Sequence, residues 1–433
     1  MQSLNQKYDV IVVGSGPAGA SVARDLVRRQ YSVLLIEQGS ASPLTGSLWQ
    51  MARMAAIPGR GAYFNKDASL LVSAVTAGGS SAINYATAMK PPMEMFAKYG
   101  IDLQPAYDEL RREIPMAPLP DHLLGPMAKC LMHSAVSMGL PWQKFEKMIY
   151  SDQCRTGCWR CTYGCPFGAK WTARNWIDDA IGDGLHWMNQ TKVLQVLHEN
   201  GKCLGVVVDG EQGIIRIGAK RVVLAAGGIG SPRLLHASGL APKKASHFTD
   251  PVVAVMGSVD DIEDVNAGAE VPMVAGMHLQ QEGITLADMT LPRAMYQAFT
   301  AQVGRFDRLG AHARTLSMMV KIRDEIGGEV GPHWVNKTLH VNDKKKLQQG
   351  VELARSILAQ SGAKHVFKSW HFSAHPGGSV RIGEGVDSAL ETSIKDLYVC
   401  DASVIPEAWG LAPSVTLLCL GKRLAQHLAD GLN

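Results

Sequence analysis

The sequence predicts an α/β protein in which a doubly wound parallel sheet is interleaved with a second, mainly antiparallel sheet. The first observation is a short apolar run at 8–13, a glycine-rich turn, a helical segment at 20–29 and another apolar run at 31–36. This order is a βαβ unit, which requires parallel strands. The second is the return of a similar pattern at 372–433. The third is the stretch 245–340, whose alternating residues indicate an antiparallel sheet.

Composition sets limits on the kind of protein. The 433 residues are 46% hydrophobic and 19% charged, which is ordinary for a globular protein that buries a core without disulfides. The net charge of +4 is spread along the chain, so we expect no nucleic-acid partner. No leader and no apolar run long enough to span a bilayer is evident. We therefore expect a cytoplasmic chain with no transmembrane segment, unless a partner subunit supplies an export signal for both.

The first glycine-rich turn carries a dinucleotide fingerprint. Gly14, Gly16 and Gly19 form G-x-G-x-x-G between the predicted strand and helix. The glycines allow a tight turn, close approach of a pyrophosphate and close packing of the helix, whose N-terminus attracts phosphate. Glu37 ends the second apolar run, where a carboxylate can bind ribose hydroxyls. The motif predicts a Rossmann-like dinucleotide site without separating FAD from NAD.

Later segments of the sequence narrow the choice between FAD and NAD. They read AGGSSAINY at 77–85, AAGGIGSPRLL at 225–235, AHPGGSVRIG at 374–383 and LYVCDASVIP at 397–406. Together with the fingerprint, and in this order, they make the chain resemble the glucose–methanol–choline (GMC) oxidoreductases, a family of FAD enzymes. The resemblance spans nearly the whole chain and implies FAD as the cofactor.

The resemblance also implies which residues contact FAD. The family's loop at 78–84 lies along the flavin, and Asp401 contacts the ribityl or pyrophosphate part; the alternative for Asp401 is a cap of a helix or turn. Runs of Gly and Ser let backbone approach a flat ligand closely. The cofactor-binding residues predicted beyond the fingerprint and Glu37 are Gly78, Gly79, Ser80, Asn84, Gly227 and Asp401.

These motifs suggest a division into interleaved domains. We expect an FAD-binding domain at 1–240 with a cysteine-rich insertion at about 150–170, and a substrate domain at 241–371. The chain then returns to the FAD-binding domain at 372–433. The second domain is rich in methionines, which form either a pliable apolar pocket or ordinary core. These are Met256, Met273, Met277, Met289 and Met295.

One histidine is the predicted catalytic residue. In the family, the histidine of the HPxG segment sits over the flavin ring, and it corresponds to His375. Alcohol oxidation needs a base for the hydroxyl proton, and imidazole suits this because its pKa is near neutral.

The family's second polar residue is missing. It stands just before a Pro or Ser in the C-terminal segment, where this chain has Ala412. Either His375 works alone, or His371, Ser414 or Trp409 assists it. The departure also leaves open the reduction of a carbonyl or of an activated C=C bond.

Four of the eight cysteines form a tight cluster. Cys154, Cys158, Cys161 and Cys165 fall within twelve residues and Pro166 follows. The spacing resembles the ferredoxin run C-x2-C-x2-C-x3-C-P with one extra residue in the first gap, and it predicts a [4Fe–4S] cluster.

Alternatives for these cysteines are a [3Fe–4S] cluster, zinc, or no metal. Zinc sites of four cysteines usually split the ligands into two separated pairs. Cys165 is the least certain ligand, because the fourth cysteine of two-cluster ferredoxins serves the other cluster. Cys130 is a possible substitute, although buried packing is the role that we favour for it. The spacing from Cys154 to Cys161 also fits radical-SAM enzymes, but this chain opens with a flavin-type fold.

Some GMC members carry a cysteine insertion at about this point, and there the cluster takes electrons from the reduced flavin. We therefore expect an FAD- and iron–sulfur-dependent dehydrogenase that oxidises an alcohol and passes electrons to an external acceptor. A flavin reductase fed by a ferredoxin-like donor is the alternative. The expected partners are a small-molecule alcohol or carbonyl substrate and a redox protein or electron-transfer subunit. A non-catalytic electron-transfer flavoprotein is disfavoured, because the chain has a separate substrate-type sheet.

Overall fold

The computed structural model describes residues 6–211, 213–240, 245–259 and 270–431. Within these ranges the chain forms ten α-helices and twenty strands. The helices are α1 (Pro17–Arg28), α2 (Leu48–Ala55), α3 (Met93–Ala97), α4 (Gln104–Glu113), α5 (Pro126–Ser137), α6 (Ala173–Gly182), α7 (Gly227–Ala237), α8 (Arg293–Gln302), α9 (Val341–Gln360) and α10 (Ser414–Asp430).

The strands are β1 (Gln6–Val13), β2 (Val33–Ile36), β3 (Ala62–Phe64), β4 (Leu70–Val72), β5 (Ala117–Pro118), β6 (Gln143–Lys144), β7 (Glu146–Lys147), β8 (His186–Met188), β9 (Lys192–Glu199), β10 (Lys202–Gly210), β11 (Gly213–Leu224), β12 (Pro251–Ser258), β13 (Ala275–Leu279), β14 (Ile284–Asp288), β15 (Thr315–Ile322), β16 (Glu329–Val330), β17 (Val335–Asn336), β18 (Lys364–Lys368), β19 (Phe372–Ser373) and β20 (Leu397–Val399).

The first sheet is the predicted parallel one. Its order is β8-β2-β1-β11-β10-β9, and β20 also pairs with β11. The pairs among β8, β2, β1, β11 and β20 are parallel, whereas β9, β10 and β11 are antiparallel. Residues 10–13 of β1 are buried, because helices cover a parallel sheet on both faces. The fold prediction is confirmed for this sheet.

The second sheet is mainly antiparallel, as predicted. Its order is β3-β4-β19-β12-β15-β14-β13-β6, with β18 paired to β12. Only the β4–β19 pair within it is parallel among the described strands. Strands β3, β4 and β6 come from the first 240 residues, so the chain enters this sheet earlier than 241. The domain boundaries themselves stay a prediction.

The two faces of the second sheet differ. Alternate residues of β12 and β15, such as Val253 and Val320, belong to the main core, and α9 packs against β12, β14 and β15. The opposite face forms a separate cluster, which we call the methionine-rich face. Its buried members are Phe145, Val252, Ala254, Met256, Met273, Ala287, Met289, Leu291, Tyr296, Met319 and Phe367.

Four of the five methionines singled out in the sequence contact this face. Met256, Met273 and Met289 are buried in it, and Met295 packs against it half-buried. Met277 points into the main core instead. Among the described helices, none combines the length and the apolar character that a bilayer span requires.

Candidate cofactor and active site

The fingerprint turn joins β1 to α1, and its three glycines meet different surroundings. Gly14 has φ +102°, and a Cβ there would lie 2.4 Å from the carbonyl oxygen of Ala225. A Cβ on Gly19 would lie 2.0 Å from the carbonyl oxygen of Gly14. A Cβ on Gly16 would meet no atom of the described chain within 4 Å. The protein's own packing explains Gly14 and Gly19, whereas Gly16 faces open space that a ligand can enter.

The N-terminus of α1 opens into that space. Gly16 is the N-cap residue and provides no side-chain cap, and the first turn contains no acidic residue. The first N–H groups of a helix lack partners within it and attract anions. The turn therefore fits the pyrophosphate of a dinucleotide.

Glu37 is tied to the fingerprint through Ser15. Its Oε2 accepts hydrogen bonds from the Ser15 backbone N–H at 3.1 Å and the Ser15 hydroxyl at 2.7 Å, and its Oε1 accepts from Gly39 N–H at 2.7 Å. Burial raises the pKa of Glu37, and these hydrogen bonds oppose the shift. The Ser15 hydroxyl also accepts from Gly78 N–H at 3.1 Å. We did not predict a role for Ser15 from the sequence. The only indication was its position, as a small polar residue between Gly14 and Gly16.

The predicted flavin loop packs on the fingerprint. A Cβ on Gly79, which has φ +54°, would lie 3.0 Å from the Cα of Gly16. The hydroxyl of Ser80 accepts from Ala74 N–H at 3.0 Å. The side-chain amide of Asn84 donates to the hydroxyl of Ser414 at 3.1 Å, so this loop is fastened to the start of α10.

Asp401 is a cap in this structure. One carboxylate oxygen accepts from Gly227 N–H at 2.8 Å and from the Ser231 hydroxyl at 2.5 Å. The other accepts from Ser403 N–H at 2.8 Å and the Ser403 hydroxyl at 2.6 Å. Asp401 therefore holds the start of α7. Gly227 beside it has φ +83°, and a Cβ on it would meet no described atom within 4 Å. Contact of Asp401 with a cofactor stays a prediction.

The segment that carries His375 is seated against α7. A Cβ on Gly228 would lie 1.9 Å from the carbonyl oxygen of Pro376, so only glycine permits this approach. His375 thus stands next to the Gly227 turn. The fold brings together the fingerprint, the 78–84 loop, the start of α7, Asp401 and the histidine segment. This cradle of small residues fits the FAD that the resemblance implies.

His375 is held by a carboxylate. Its Nδ1 lies 3.1 Å from Oδ2 of Asp250, which is fully buried. The other oxygen of Asp250 accepts from Gly410 N–H at 2.7 Å. Burial lowers the pKa of His375 below its ordinary value, and the hydrogen bond to Asp250 opposes the shift. An ionised Asp250 places the proton on Nδ1, which leaves the lone pair of Nε2 available as a base.

The residues considered as a second catalytic group do not contact the His375 side chain through hydrogen bonds. His371 Nε2 is 3.4 Å from a carboxylate oxygen of Asp67. Trp409 is buried edge-on to Phe96 at a centroid distance of 6.5 Å. Within the described residues, neither these two nor Ser414 forms a hydrogen bond with His375. Sequence analysis missed Asp250, which is 125 positions from His375 and precedes β12.

The four clustered cysteines line one cavity. Cys154, Cys158, Cys161 and Cys165 face it together with Arg155, Phe167, Lys170 and other residues. All four are free thiols, and burial raises the pKa of Cys154, Cys158 and Cys161. Cys165 shares the cavity with the other three. Cys130 does not line it; burial and the charge of Glu270 raise the pKa of its thiol, and a hydrogen bond with Ser361 opposes the shift.

The cavity does not have the form of a site for one ion. Among the described residues, no three or more His, Cys, Asp or Glu side chains are placed to hold a single metal ion. A zinc ion needs all its thiolates at about 2.3 Å. In an iron–sulfur cluster each cysteine binds a different iron, so the thiols around it stand further apart. Four thiols around one cavity are the donor set that an iron–sulfur cluster uses.

Two buried lysines flank the cysteine loop, and sequence analysis did not assign either of them a role. The Lys170 ammonium donates to the carbonyl oxygens of Ala82 at 2.8 Å, Asn84 at 3.0 Å and Cys161 at 2.7 Å. Burial lowers the pKa of Lys170 to about 8, with the charges of Cys161 and Cys165 opposing the shift. Lys147 is fully buried and donates to Pro272 and Met273 carbonyls. Lys170 directly joins the predicted flavin loop to the cysteine loop.

The fingerprint glycines give a matched pair of variants. We expect Gly16→Ser to fold with its unfolding midpoint nearly unchanged, because the space is free and Ser is a good N-cap, but to retain much less flavin. We expect Gly19→Ala to lose about 3 kcal/mol or more of folding free energy, because the added methyl group overlaps a backbone oxygen. Flavin content after purification and urea unfolding of each apoprotein measure the two effects. Equal flavin retention by Gly16→Ser and the parent would contradict a ligand at this turn.

Relatives of this chain occur among curated proteins. A long-chain-alcohol oxidase of Arabidopsis thaliana is 25% identical over 99% of this chain and 69% of its own length. An uncharacterized protein of Methanocaldococcus jannaschii is 26% identical over 97% of this chain and 100% of its own length.

Solved structures share the fold. Pyridoxine 4-oxidase from Mesorbium loti superposes with a TM-score of 0.77 at 17% identity, over 98% of this chain and 99% of that one. Formate oxidase superposes with a TM-score of 0.76 at 17% identity, over 99% of both chains. These similarities agree with the two-sheet architecture.

Family models cover most of the chain. The N-terminal and C-terminal models of the GMC oxidoreductases match residues 8–259 and 320–421. The first match contains the fingerprint, the flavin loop and the cysteine cavity, and the second contains His375 and Asp401. The chain belongs to the GMC oxidoreductase family.

Proposed function

We propose that this oxidoreductase binds FAD and oxidises the CH–OH group of a small-molecule alcohol, with electrons leaving through a [4Fe–4S] cluster to an external acceptor. The observation that carries the proposal is the His375–Asp250 pair. It stands beside the Gly227 turn, where the predicted cofactor segments converge. A redox protein or an additional electron-transfer subunit is the acceptor we expect. The domain division at 1–240, 241–371 and 372–433 is part of the same proposal.

His375 is the base in this proposal. Burial keeps the imidazole neutral at neutral pH, and Asp250 fixes its orientation and its Nδ1 proton. Nε2 then takes the hydroxyl proton of the alcohol, and Asp250 stabilises the imidazolium that results. When bound, FAD supplies the acceptor for the hydride that leaves the carbinol carbon. Gly14, Gly16, Gly19, Glu37, Gly78, Gly79, Ser80, Asn84, Gly227 and Asp401 would hold it.

The cysteine loop provides the exit for electrons. When bound, an iron–sulfur cluster passes electrons one at a time. Cys154, Cys158, Cys161 and Cys165 would hold it. Lys170 supports a short path between the two cofactors, because one ammonium contacts carbonyls of both the flavin loop and Cys161. The two buried ammonium groups of Lys147 and Lys170 also favour negative charge at the thiolates.

The alcohol substrate is supported by similar proteins. One relative is named a long-chain-alcohol oxidase, and one structural neighbour is named pyridoxine 4-oxidase. The methionine-rich face gives the second sheet a buried apolar cluster of its own. The second candidate is a flavin reductase of a carbonyl or C=C substrate fed by a ferredoxin-like donor. Ala412 favours it, since its side chain cannot exchange a proton with an alcohol.

Anaerobic purification tests the two-cofactor proposal. We expect flavin absorption, about four irons per chain and an electron paramagnetic resonance signal after dithionite reduction. A screen of alcohols with artificial acceptors then tests for oxidation. Flavin with zinc and no iron would make the cysteine loop a structural element and remove the cluster from the electron path. Carbonyl reduction without alcohol oxidation would favour the second candidate.

The Asp250–His375 pair predicts a pH dependence. As a base, His375 must be neutral, and burial lowers its pKa, so the acid limb of kcat/KM should lie below pH 6.5. Asp250→Asn removes the charge that raises this pKa, so the acid limb should move to lower pH while the plateau rate falls. The carboxamide oxygen can still accept from Gly410 N–H, which keeps the loop in place. A limb that moves to higher pH in this variant would contradict the pairing.

A further inference from the structure

Lys321 is a buried cation without a polar partner in the described part of the chain. It is 4% exposed and lies near the end of β15. Among the described residues, its ammonium has neither a hydrogen bond nor an ion pair, whereas the buried Lys147, Lys170 and Lys337 all have acceptors. An unpaired buried charge is costly, and buried charges in proteins are normally paired. Lys321 therefore points to an acceptor that comes from outside the chain.

Sheet register places Lys321 on the methionine-rich face. It lies opposite Val252 of β12 and Thr285 of β14, and directly paired residues project to the same face. Val252 belongs to the methionine-rich face, while the next residues along, Val253 and Val320, belong to the opposite core. Lys321 thus lies on the side of the sheet that carries the buried methionine-rich cluster.

Hydrogen bonds place this end of the face beside the catalytic pair. The Thr285 hydroxyl contacts His278 Nδ1 at 2.9 Å and donates to the Gly410 carbonyl at 3.4 Å. The N–H of the same Gly410 donates to Asp250, which holds His375. Asp250 also immediately precedes β12, the strand paired with Lys321. Lys321, Thr285 and His375 therefore surround one region.

No charged group among the described residues forms an ion pair with Lys321. Asp250 is close enough to raise the pKa of Lys321 against the effect of burial, but its oxygens are engaged by His375 and Gly410. Burial, together with the charge of Lys321, lowers the pKa of His278 to about 4 and also lowers that of His375. Both histidines are thus neutral at neutral pH, and Arg323 adds a further positive charge nearby. Two cations, Lys321 and Arg323, thus share one carboxylate, Asp250, because the neighbouring Asp324 is paired with Lys337.

We propose that Lys321 binds a carboxylate of the substrate, so that the alcohol oxidised is a hydroxy carboxylate with an apolar body. This inference rests on the proposed function and deepens it. The carboxylate pairs with Lys321 beside Thr285, the apolar body lies along the methionine-rich face, and the CH–OH group meets His375. In the reaction, the C–H bond breaks and its hydride passes to FAD. The hydroxyl proton goes to His375, and a keto carboxylate is the product.

Two alcohols that differ in one substituent of the carbinol carbon test this inference with the FAD-loaded enzyme. They are 2-hydroxyoctanoate and 2-octanol, which carry CO₂⁻ and CH₃ on the same carbinol carbon. We expect kcat/KM to favour the hydroxy acid by about tenfold to hundredfold, the range of a charge-assisted hydrogen bond. Octanoate, which lacks the hydroxyl, should bind the resting enzyme in calorimetry without reacting.

Lys321→Met assigns the effect to the residue. Methionine keeps the length and apolar stem, so the variant should remain folded, and its unfolding midpoint checks this. We expect the preference for the hydroxy acid to disappear and the Kd of octanoate to rise by about the same factor. Lys346→Met is the matched control, because α9 packs on the opposite face of the sheet and the Lys346 ammonium is occupied by the Arg323 carbonyl, so we expect the preference to stay intact. If Lys321→Met does not fold, two measurements on the parent still test the carboxylate site. These are the preference for the hydroxy acid and the binding of octanoate, and the absence of both would overturn the inference.

The outcomes separate this inference from the function on which it rests. The carboxylate site would be overturned if alcohols reduced the flavin with no preference for the hydroxy acid. It would also be overturned if octanoate bound equally to the parent and to Lys321→Met. Either result would leave alcohol oxidation standing. Octanoate binding that depends on Lys321, with no reduction of the flavin by any alcohol, would support the carboxylate site and overturn alcohol oxidation.

Discussion

Replacing His375 with alanine is expected to slow substrate-driven flavin reduction by about 10²–10⁴-fold, the range of a lost general base. The effect is large because, among the described residues around Asp250, no second histidine is hydrogen-bonded to a carboxylate as His375 is. His278, a second histidine in this region, has its Nδ1 engaged by Thr285. Anaerobic stopped-flow mixing with the alcohol, followed by the loss of flavin absorbance, measures the rate.

Flavin and iron contents distinguish a chemical from a structural effect. Within the described part of the chain the His375 side chain is hydrogen-bonded to Asp250, so its removal should leave both cofactors bound. His371→Ala is the matched control, since this histidine lies four residues earlier and pairs with Asp67. We expect it to reduce the flavin at close to the parent rate. A His375→Ala variant with parental rates would remove this residue from the role of base.

The sequence predicted those parts of the site in which the contacting residues are close together in the chain. The strand, turn and helix around Gly14 and Gly19 follow one another in sequence, and their spacing accounts for the close approach of Gly19 to Gly14. The contact of Gly14 with Ala225 depends instead on the pairing of β1 with β11. The cysteines also lie within one short loop, so their gathering around one cavity followed from spacing. Local geometry could be predicted because the interacting atoms belong to neighbouring residues.

Contacts that depend on strand register could not be predicted in this way. Asp250 meets His375 only because β12 pairs with β19, and Lys321 reaches the same region only because β15 pairs with β12. A shift of one residue in either pair would turn these side chains to the other face of the sheet. Lys147 and Lys170 were missed for a related reason, because their carbonyl acceptors come mostly from distant loops.

For Asp401, the sequence left two roles open, and the structure shows one of them. Sequence analysis offered both a cap and a cofactor contact, and the structure shows its carboxylate hydrogen-bonded to Gly227, Ser231 and Ser403. A buried carboxylate with four donors stabilises the turn that faces the cofactor region. The cap role is observed, and a direct contact with FAD stays a prediction that flavin retention by Asp401→Asn would test.

Removing one thiol from the cysteine cavity is expected to have the second large effect. If the cysteines hold the proposed cluster, Cys158→Ala should lose most of the iron and slow electron transfer to external acceptors severalfold or more, because one iron is left without its ligand. The flavin should remain bound and should still be reduced by substrate, since none of the four cysteines is among the residues proposed to hold FAD. Iron assay, flavin absorbance and acceptor turnover measure the three quantities on one preparation.

Two further variants make the iron result specific. Cys130→Ala is the matched control, because this half-buried thiol lies outside the cavity, and its iron content should equal that of the parent. Cys165→Ala should lose iron as Cys158→Ala does if all four thiols bind one cluster, since the structure places Cys165 on the same cavity. Unchanged iron in Cys158→Ala would exclude Cys158 as a ligand. Loss of zinc instead of iron would make the loop a structural clamp, and the reduced flavin would then have to pass electrons directly to a diffusible acceptor.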